Sequence, residues 1–289
     1  FAMPWGERVE VVYGTLPALA REGRTLGAYV LIALDLYDRP GNPYEDANKQ
    51  AYGDNHRRFA ALGLAAAHVA HGLDAQWRPQ LVHSHDWHAA LAPASLALWN
   101  EGRGPHVPSV YTVHNLAYQG VFGPEHFGDL GLPGRAFHVH GMEFHGQLSF
   151  MKAGLFYANH VTTVSPTYAH EIQGPEQGCG LDGLLRARHQ HLSGILNAVD
   201  DSVWNPATDT LIAHRFDARH MAGKAQSKAA LQAEMGLALE PDAPLFAVVS
   251  RLTEQKGLPL VMAAVDEIVS RGGQLLVLGS GETWLEQAF

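Results

Sequence analysis

Short β-rich apolar runs alternate with longer helical patterns along almost the whole of this 289-residue sequence. The candidate strands are Val9–Tyr13, Tyr29–Leu34, Gln80–Ser84, Ser109–His114, Val161–Val164, His191–Leu196, Leu245–Ser250 and Gln274–Leu278. Between them fall helical patterns at Asn55–Gly72, His88–Trp99, Leu148–Ala158, Pro166–Ile172, Gly223–Met235 and Leu258–Ser270. Such alternation constrains the fold to the α/β class, with parallel sheets assembled from right-handed crossover units. The length is generous for one domain and comfortable for two. Turn-forming residues in NAVDDSVWNPATD and GLALEPDAP put the break between Asn197 and Asp242. Residues 1–200 then form one Rossmann-like domain, 201–240 a linker, and 241–289 the opening of a second domain. Only two strands are visible there, against the roughly four to six of a typical sheet. With no initiating Met and an end inside a helical pattern, the chain reads as a fragment.

Composition narrows the classes of partner. Hydrophobic residues make up 46% and charged residues 17%, an ordinary globular balance. Twenty basic residues against 29 acidic ones give a formal charge of -9, which argues against a broad nucleic-acid surface. No run of 18 apolar residues is present, so no membrane-spanning helix is expected. FAMPWGERVEVVYG lacks the basic start and apolar core of a secretory signal. The single cysteine, Cys179, allows no intrachain disulfide, which fits a reducing, cytoplasmic setting. Its neighbours GPEQGCGLDG place it in a loop.

Three segments carry the chemistry: HSHDW at His83–Trp87, TVHNLAYQG at Thr112–Gly120 and SRLTEQKG at Ser250–Gly257. Each follows a short apolar run, where a strand hands over to a loop or helix, and ligands bind at that edge of an open α/β sheet. HSHDWH admits more than one reading. His83, His85, Asp86 and His88 are metal-ligating types, as in a metal-dependent hydrolase. Alternatively, Asp86 caps a helix that begins near His88. TVHNLAYQG ends an apolar strand in His114 and Asn115 and so puts polar groups at the cleft edge. In SRLTEQKG, Arg251 offers a planar fork and Lys256 a mobile point charge, a pair suited to adjoining phosphates. The bland alternative is a solvated helix start with an Arg251–Glu254 pair. LGSGE at Leu278–Glu282 is a second strand-to-helix turn whose backbone N–H groups can approach a phosphate.

Taken with LYDRPGNPY (Leu36–Tyr44), VTTVSPTYAHEI, GLDGLLRAR and LNAVDDSVWNP, these segments closely resemble the bacterial glycogen synthase and plant starch synthase family. The resemblance covers essentially the whole chain. It implies a double-Rossmann (GT-B) glycosyltransferase that moves glucose from ADP-glucose to the non-reducing 4-hydroxyl of an α-1,4-glucan such as glycogen, with retention. On that resemblance Asp86 and His114 line the glucosyl site, while Arg251 and Lys256 neutralise the departing ADP. Asn197 reaches the donor sugar or serves a turn, and Gly279 and Gly281 contact the donor. Asn115, Tyr118 and Gln119 shape the loop, and Glu254 is structural. No metal cofactor is implied. Ala198 departs from the family's usual Gly. The family's Lys-Thr-Gly-Gly-Leu loop and its Glu-x-Cys-Gly-Leu-Thr segment do not occur in these residues, so the chain alone is expected to be inactive. Rival readings are another retaining transferase of the same fold, such as a sucrose synthase-like enzyme, a hydrolase built on HSHDWH, and a fragment that only binds glucan.

Overall fold

A computed structural model describes residues 1–16, 25–99 and 107–289. It divides into two compact units, Phe1–Asn197 and Ala198–Phe289. The strands of the first are β1 (Glu10–Leu16), β2 (Leu26–Ile32), β3 (Val82–His85), β4 (Ser109–Val113), β5 (Val121–Phe122), β6 (Glu143–Phe144), β7 (Gln147–Ser149), β8 (His160–Thr163) and β9 (Leu192–Gly194). Its helices are α1 (Leu34–Tyr37), α2 (Asn55–Ala70), α3 (Asp86–Ala89), α4 (Leu91–Trp99), α5 (Phe150–Tyr157), α6 (Pro166–Glu171) and α7 (Asp182–Ala187).

The centre of this unit is a four-stranded parallel sheet in the order β3-β4-β8-β9. Register sets Ser84, Tyr111 and Val161 side by side on one face, and His85, Thr112, Thr162 and Ser193 on the other. The first face is apolar. Tyr111 is fully buried and donates its hydroxyl to Met151 Sδ at 3.1 Å. A side chain at Gly154 of α5 would put its Cβ 2.4 Å from the Tyr111 ring, so glycine lets the helix close onto the sheet. The second face is polar and hydrogen-bonded across strands: His83 Nε2 meets Thr112 Oγ1 at 2.7 Å, and Thr112 Oγ1 meets Thr162 Oγ1 at 2.5 Å.

Three local features differ from the sequence expectation. The first two strands do not join the parallel sheet. They form an antiparallel pair of their own, Glu10 opposite Ile32 through Leu16 opposite Leu26. The helix expected over His88–Trp99 is two helices. Pro93 has no N–H to give the Ala89 carbonyl and its ring crowds that oxygen, so the helix ends at Ala89 and restarts at Leu91. A small antiparallel sheet, β5-β7-β6, was not anticipated. His145 (φ 50°) and Gly146 (φ 81°) turn β6 into β7, the two positive φ values that a two-residue primed hairpin turn requires. Ser149 then caps α5 by accepting the Lys152 N–H at 3.1 Å.

In the second unit β10 (Leu245–Val249) and β11 (Gln274–Leu278) pair in parallel, with α8 (Ala222–Glu234), α9 (Leu258–Ser270) and α10 (Thr283–Ala288). The stretch 201–240, assigned above to a linker, carries α8. Gln232 of that helix is buried and donates to Gln274 Oε1 at 2.7 Å, which ties it to β11. Leu252, Leu258 and Leu285 form the buried centre of this unit.

Candidate active site

At the carboxyl end of β3 the chain turns into α3 through Asp86, whose φ of 53° lies in the left-handed region. Asp tolerates that region better than most side chains, and strain of this kind concentrates at functional sites. The expectation that Asp86 caps a helix near His88 does not hold. The helix begins at Asp86 itself with His85 as its cap residue, and no side chain caps it. Instead the positive φ turns the carboxylate across to the neighbouring strand end. Asp86 Oδ1 accepts the His114 N–H at 2.8 Å and the Asn115 N–H at 3.4 Å. Asp86 and His114, 28 residues apart, are thus locked together at one sheet edge.

The rest of TVHNLAYQG is fastened from several sides. The Ala117 N–H donates to Asn115 Oδ1 at 3.1 Å, and the Leu116 N–H to the Tyr168 hydroxyl at 3.0 Å. Gln119 Nε2 donates to the Cys179 carbonyl at 2.9 Å. Gly120 (φ 58°) admits Trp87, since a Cβ there would lie 2.2 Å from the indole. LYDRPGNPY lies against two helix starts: the Tyr44 hydroxyl is 2.8 Å from His88 Nε2 in α3, and Arg39 forks onto both oxygens of Asp54, the cap residue of α2, at 2.8 and 2.7 Å.

From sequence His85 is a metal candidate only, whereas the structure sets it against His114. Its Nδ1 lies 3.0 Å from His114 Nε2, and its ring sits 4.3 Å from that of His83. Burial, then the neighbouring His83 and His114, hold its pKa below the ordinary imidazole value, so at neutral pH the ring is uncharged. A proton on one of the two facing nitrogens then fixes how the exposed His114 ring stands. The His-x-His spacing signals only that His83 and His85 share one face of a strand; the contact with His114 depends on the pairing of β3 with β4. The four metal-ligating types of HSHDWH do not converge. His83 goes to Thr112, His85 to His114, Asp86 to backbone N–H groups and His88 to Tyr44.

Asn197 is exposed at the end of the first unit. In the second unit the chain leaves β10 at Ser250, passes exposed Arg251 and buried Leu252, and forms a short 3-10 turn Glu254–Lys256 before α9. Gly257 (φ 74°) makes the left-handed junction that lets Lys256 end one element and Leu258 begin the next. Gly279 and Gly281 face this turn. A Cβ at Gly279 would lie 1.9 Å from the Ser250 carbonyl oxygen, and one at Gly281 would lie 2.3 Å from that of Leu252. The Leu252 N–H donates to the Ser280 carbonyl at 2.9 Å and the Glu282 N–H to the Leu252 carbonyl at 2.8 Å. Both glycines are therefore explained by close loop packing. The Gly281 N–H already donates to Glu286 Oε1 at 2.7 Å, so it offers nothing further to an anion in this arrangement.

Residues 3–187 match the family described as starch synthase catalytic domain. A glycogen synthase of Variovorax paradoxus (strain S110) is 61% identical over 293 residues, an alignment that takes in 100% of this chain and 59% of the relative. One of Leptothrix cholodnii is 57% identical over 289 residues, with 100% and 58% covered. The catalytic domain of starch synthase IV from Arabidopsis thaliana, solved with ADP and acarbose bound, matches with a TM-score of 0.80 and 29% identity over 96% of this chain and 55% of that one. The chain spans a little over half the length of these relatives, and its fold class is that of the GT-B glycosyltransferases. Matched over residues 3–187, well beyond half its length, the chain belongs to the starch synthase catalytic domain family.

Proposed function

We propose that the protein carrying this chain is an ADP-glucose-dependent glycogen synthase acting in the cytoplasm. The C1–O bond to ADP breaks, ADP leaves with the bonding electrons, and a new C1–O4 bond forms to the non-reducing end of an α-1,4-glucan with loss of that hydroxyl's proton. The observation that carries the reading is the Asp86–His114 lock at the edge of the parallel sheet. It holds a polar loop rigid where a transferred sugar would sit, and rigid donors need no reorganisation during reaction.

Asp86 is then a positioning residue, and His114 touches the glucosyl unit. Asn197 reaches toward the donor sugar, and Gly279 and Gly281 let the β11 turn border the nucleotide. Arg251 and Lys256 stabilise charge that develops on the diphosphate. We propose no metal cofactor for this step, because the two cations supply the charge that a divalent ion gives other phosphate-handling sites.

A donor and product screen tests this. The full-length protein, given ADP-, UDP- and GDP-glucose with glycogen as acceptor, should extend the glucan fastest from ADP-glucose and form only α-1,4 linkages by proton NMR. Preference for another sugar nucleotide or a β-linked product would overturn it.

A further inference from the structure

Two consecutive residues, the last of β3 and the first of α3, reach the same neighbour. Asp86 accepts the backbone N–H of His114, and His85 meets its ring, Nδ1 to Nε2 at 3.0 Å. Successive side chains of a regular strand point to opposite faces. The left-handed φ of 53° at Asp86 breaks that alternation at the end of β3, and both side chains turn to the residue that follows β4. The parallel register that pairs His85 with Thr112 brings the two histidines, 29 residues apart, to one sheet edge.

His85 is itself held from behind. Its ring packs against that of His83, with centroids 4.3 Å apart at 34°. His83 Nε2 meets the hydroxyl of buried Thr112 at 2.7 Å, and Thr112 meets buried Thr162 in the middle of the sheet. This ladder starts on β8, crosses β4 and β3, and ends on the His114 ring. It also ties the two imidazoles together in their protons. Of two facing ring nitrogens at hydrogen-bond distance one donates and the other accepts, because two N–H groups or two lone pairs repel. With the hydrogen on His85 Nδ1, an uncharged His114 carries its own on Nδ1. With the hydrogen on His114 Nε2, Nδ1 of His114 keeps a lone pair. In both cases Nε2 of His114 is spent on His85, and Nδ1 is the ring nitrogen left for a sugar hydroxyl.

We infer that His85 is a positioning residue for the glucosyl transfer: it acts through His114, fixing the rotation of that ring and presenting its Nδ1 to the glucosyl unit. The inference rests on the reading that His114 touches that unit. Asp86 sets where the loop stands and His85 how the ring stands, so neither makes good the loss of the other. The His114 ring is exposed, and an exposed side chain without such a tether changes rotamer within nanoseconds.

Glycogen extension from ADP-glucose by the full-length protein tests this in wild type, His85→Ala and His85→Asn. Alanine removes the contact, whereas asparagine places an amide nitrogen or oxygen where Nδ1 stands. His85→Ala should lower kcat about 10- to 100-fold, the scale of a small misplacement of a reacting group, while KM for ADP-glucose stays within about twofold, as for an interaction made only in the transition state. His85→Asn should recover most of that loss, and circular dichroism should be unchanged in both variants. In ¹⁵N-histidine-labelled protein, with the His114 signals assigned by their loss in His114→Gln, the two ring nitrogens should be distinct in wild type and move toward a common averaged shift in His85→Ala. An active wild type with undiminished kcat in His85→Ala, or identical His114 shifts in the two proteins, overturns the inference and leaves the proposed function standing. A folded wild type that extends no glucan overturns the proposed function and the inference with it.

Discussion

Replacing Asp86 by Ala and by Asn separates two things the carboxylate does for the first unit. It accepts two backbone N–H groups from the His114 loop, at 2.8 and 3.4 Å, and it occupies a left-handed backbone position with φ of 53°. Hydrogen bonds to a charged group contribute about 1.5–3 kcal/mol, and the 2.8 Å contact carries most of that. An alanine would lose it and also pay the steric penalty of the left-handed region, about 1 kcal/mol or more. The sum is about 3 kcal/mol. Asn keeps an amide oxygen as acceptor and tolerates the backbone, so only the charge assistance is lost, about 1 kcal/mol. In a unit of this size each kcal/mol moves the melting temperature by about 2–4 °C. Asp86→Ala should therefore melt about 6–12 °C lower and Asp86→Asn about 2–4 °C lower, read by differential scanning calorimetry. Amide hydrogen exchange at His114 should quicken in the same order. Equal melting temperatures for wild type and Asp86→Ala would refute the lock as described.

Stability should fall as pH drops below about 6.5, the ordinary imidazole value. Burial first of all depresses the pKa of His56, His68, His71, His85 and His88 in the folded protein. The unfolded chain then binds more protons in that window, so the stabilisation is complete above pH 6.5 and is lost as pH falls through the folded values; a melting temperature flat between pH 7.5 and 5.5 would contradict this. Gly154→Ala, a change that helps most helices by about 0.5–1 kcal/mol, should here cost about 1–2 kcal/mol, because the new Cβ meets the Tyr111 ring at 2.4 Å and overpacking dominates. Urea denaturation decides the sign. The 289 residues expressed alone should incorporate no measurable label from ADP-glucose into glycogen, since donor positioning accounts for several kcal/mol of barrier and two donor-binding motifs of the family are not among them. Incorporation within tenfold of the full-length protein would show that those motifs matter little.

The main sheet was legible because its strands are short, apolar and separated by helix-length patterns. Ser109–His114 was expected and Ser109–Val113 found, and in the separate sheet of the second unit Gln274–Leu278 agrees at both ends. The antiparallel pairing of β1 and β2 was not, because a strand's composition does not encode which way its neighbour runs. The β6–β7 hairpin had a local signal in His145-Gly146, but strands of two and three residues carry too little periodicity to stand out. At the site, the motifs placed Asp86 and His114 at strand ends. That one carboxylate grips the other's backbone was hidden, since it depends on a positive φ at a non-glycine residue.

Transfer of radiolabel from ADP-[¹⁴C]glucose to glycogen by the full-length protein, in wild type and in Arg251→Ala and Lys256→Ala variants, tests the central claim most directly. Both residues are exposed on the turn between β10 and α9, so neither change should disturb the fold. The account predicts glucan extension by wild type and a loss in kcat of roughly 100- to 1000-fold for each variant, the scale of removing one preorganised charge contact from a transition state. Circular dichroism should be unchanged. Wild-type rates in both variants, or no incorporation by a folded wild-type protein, would contradict it.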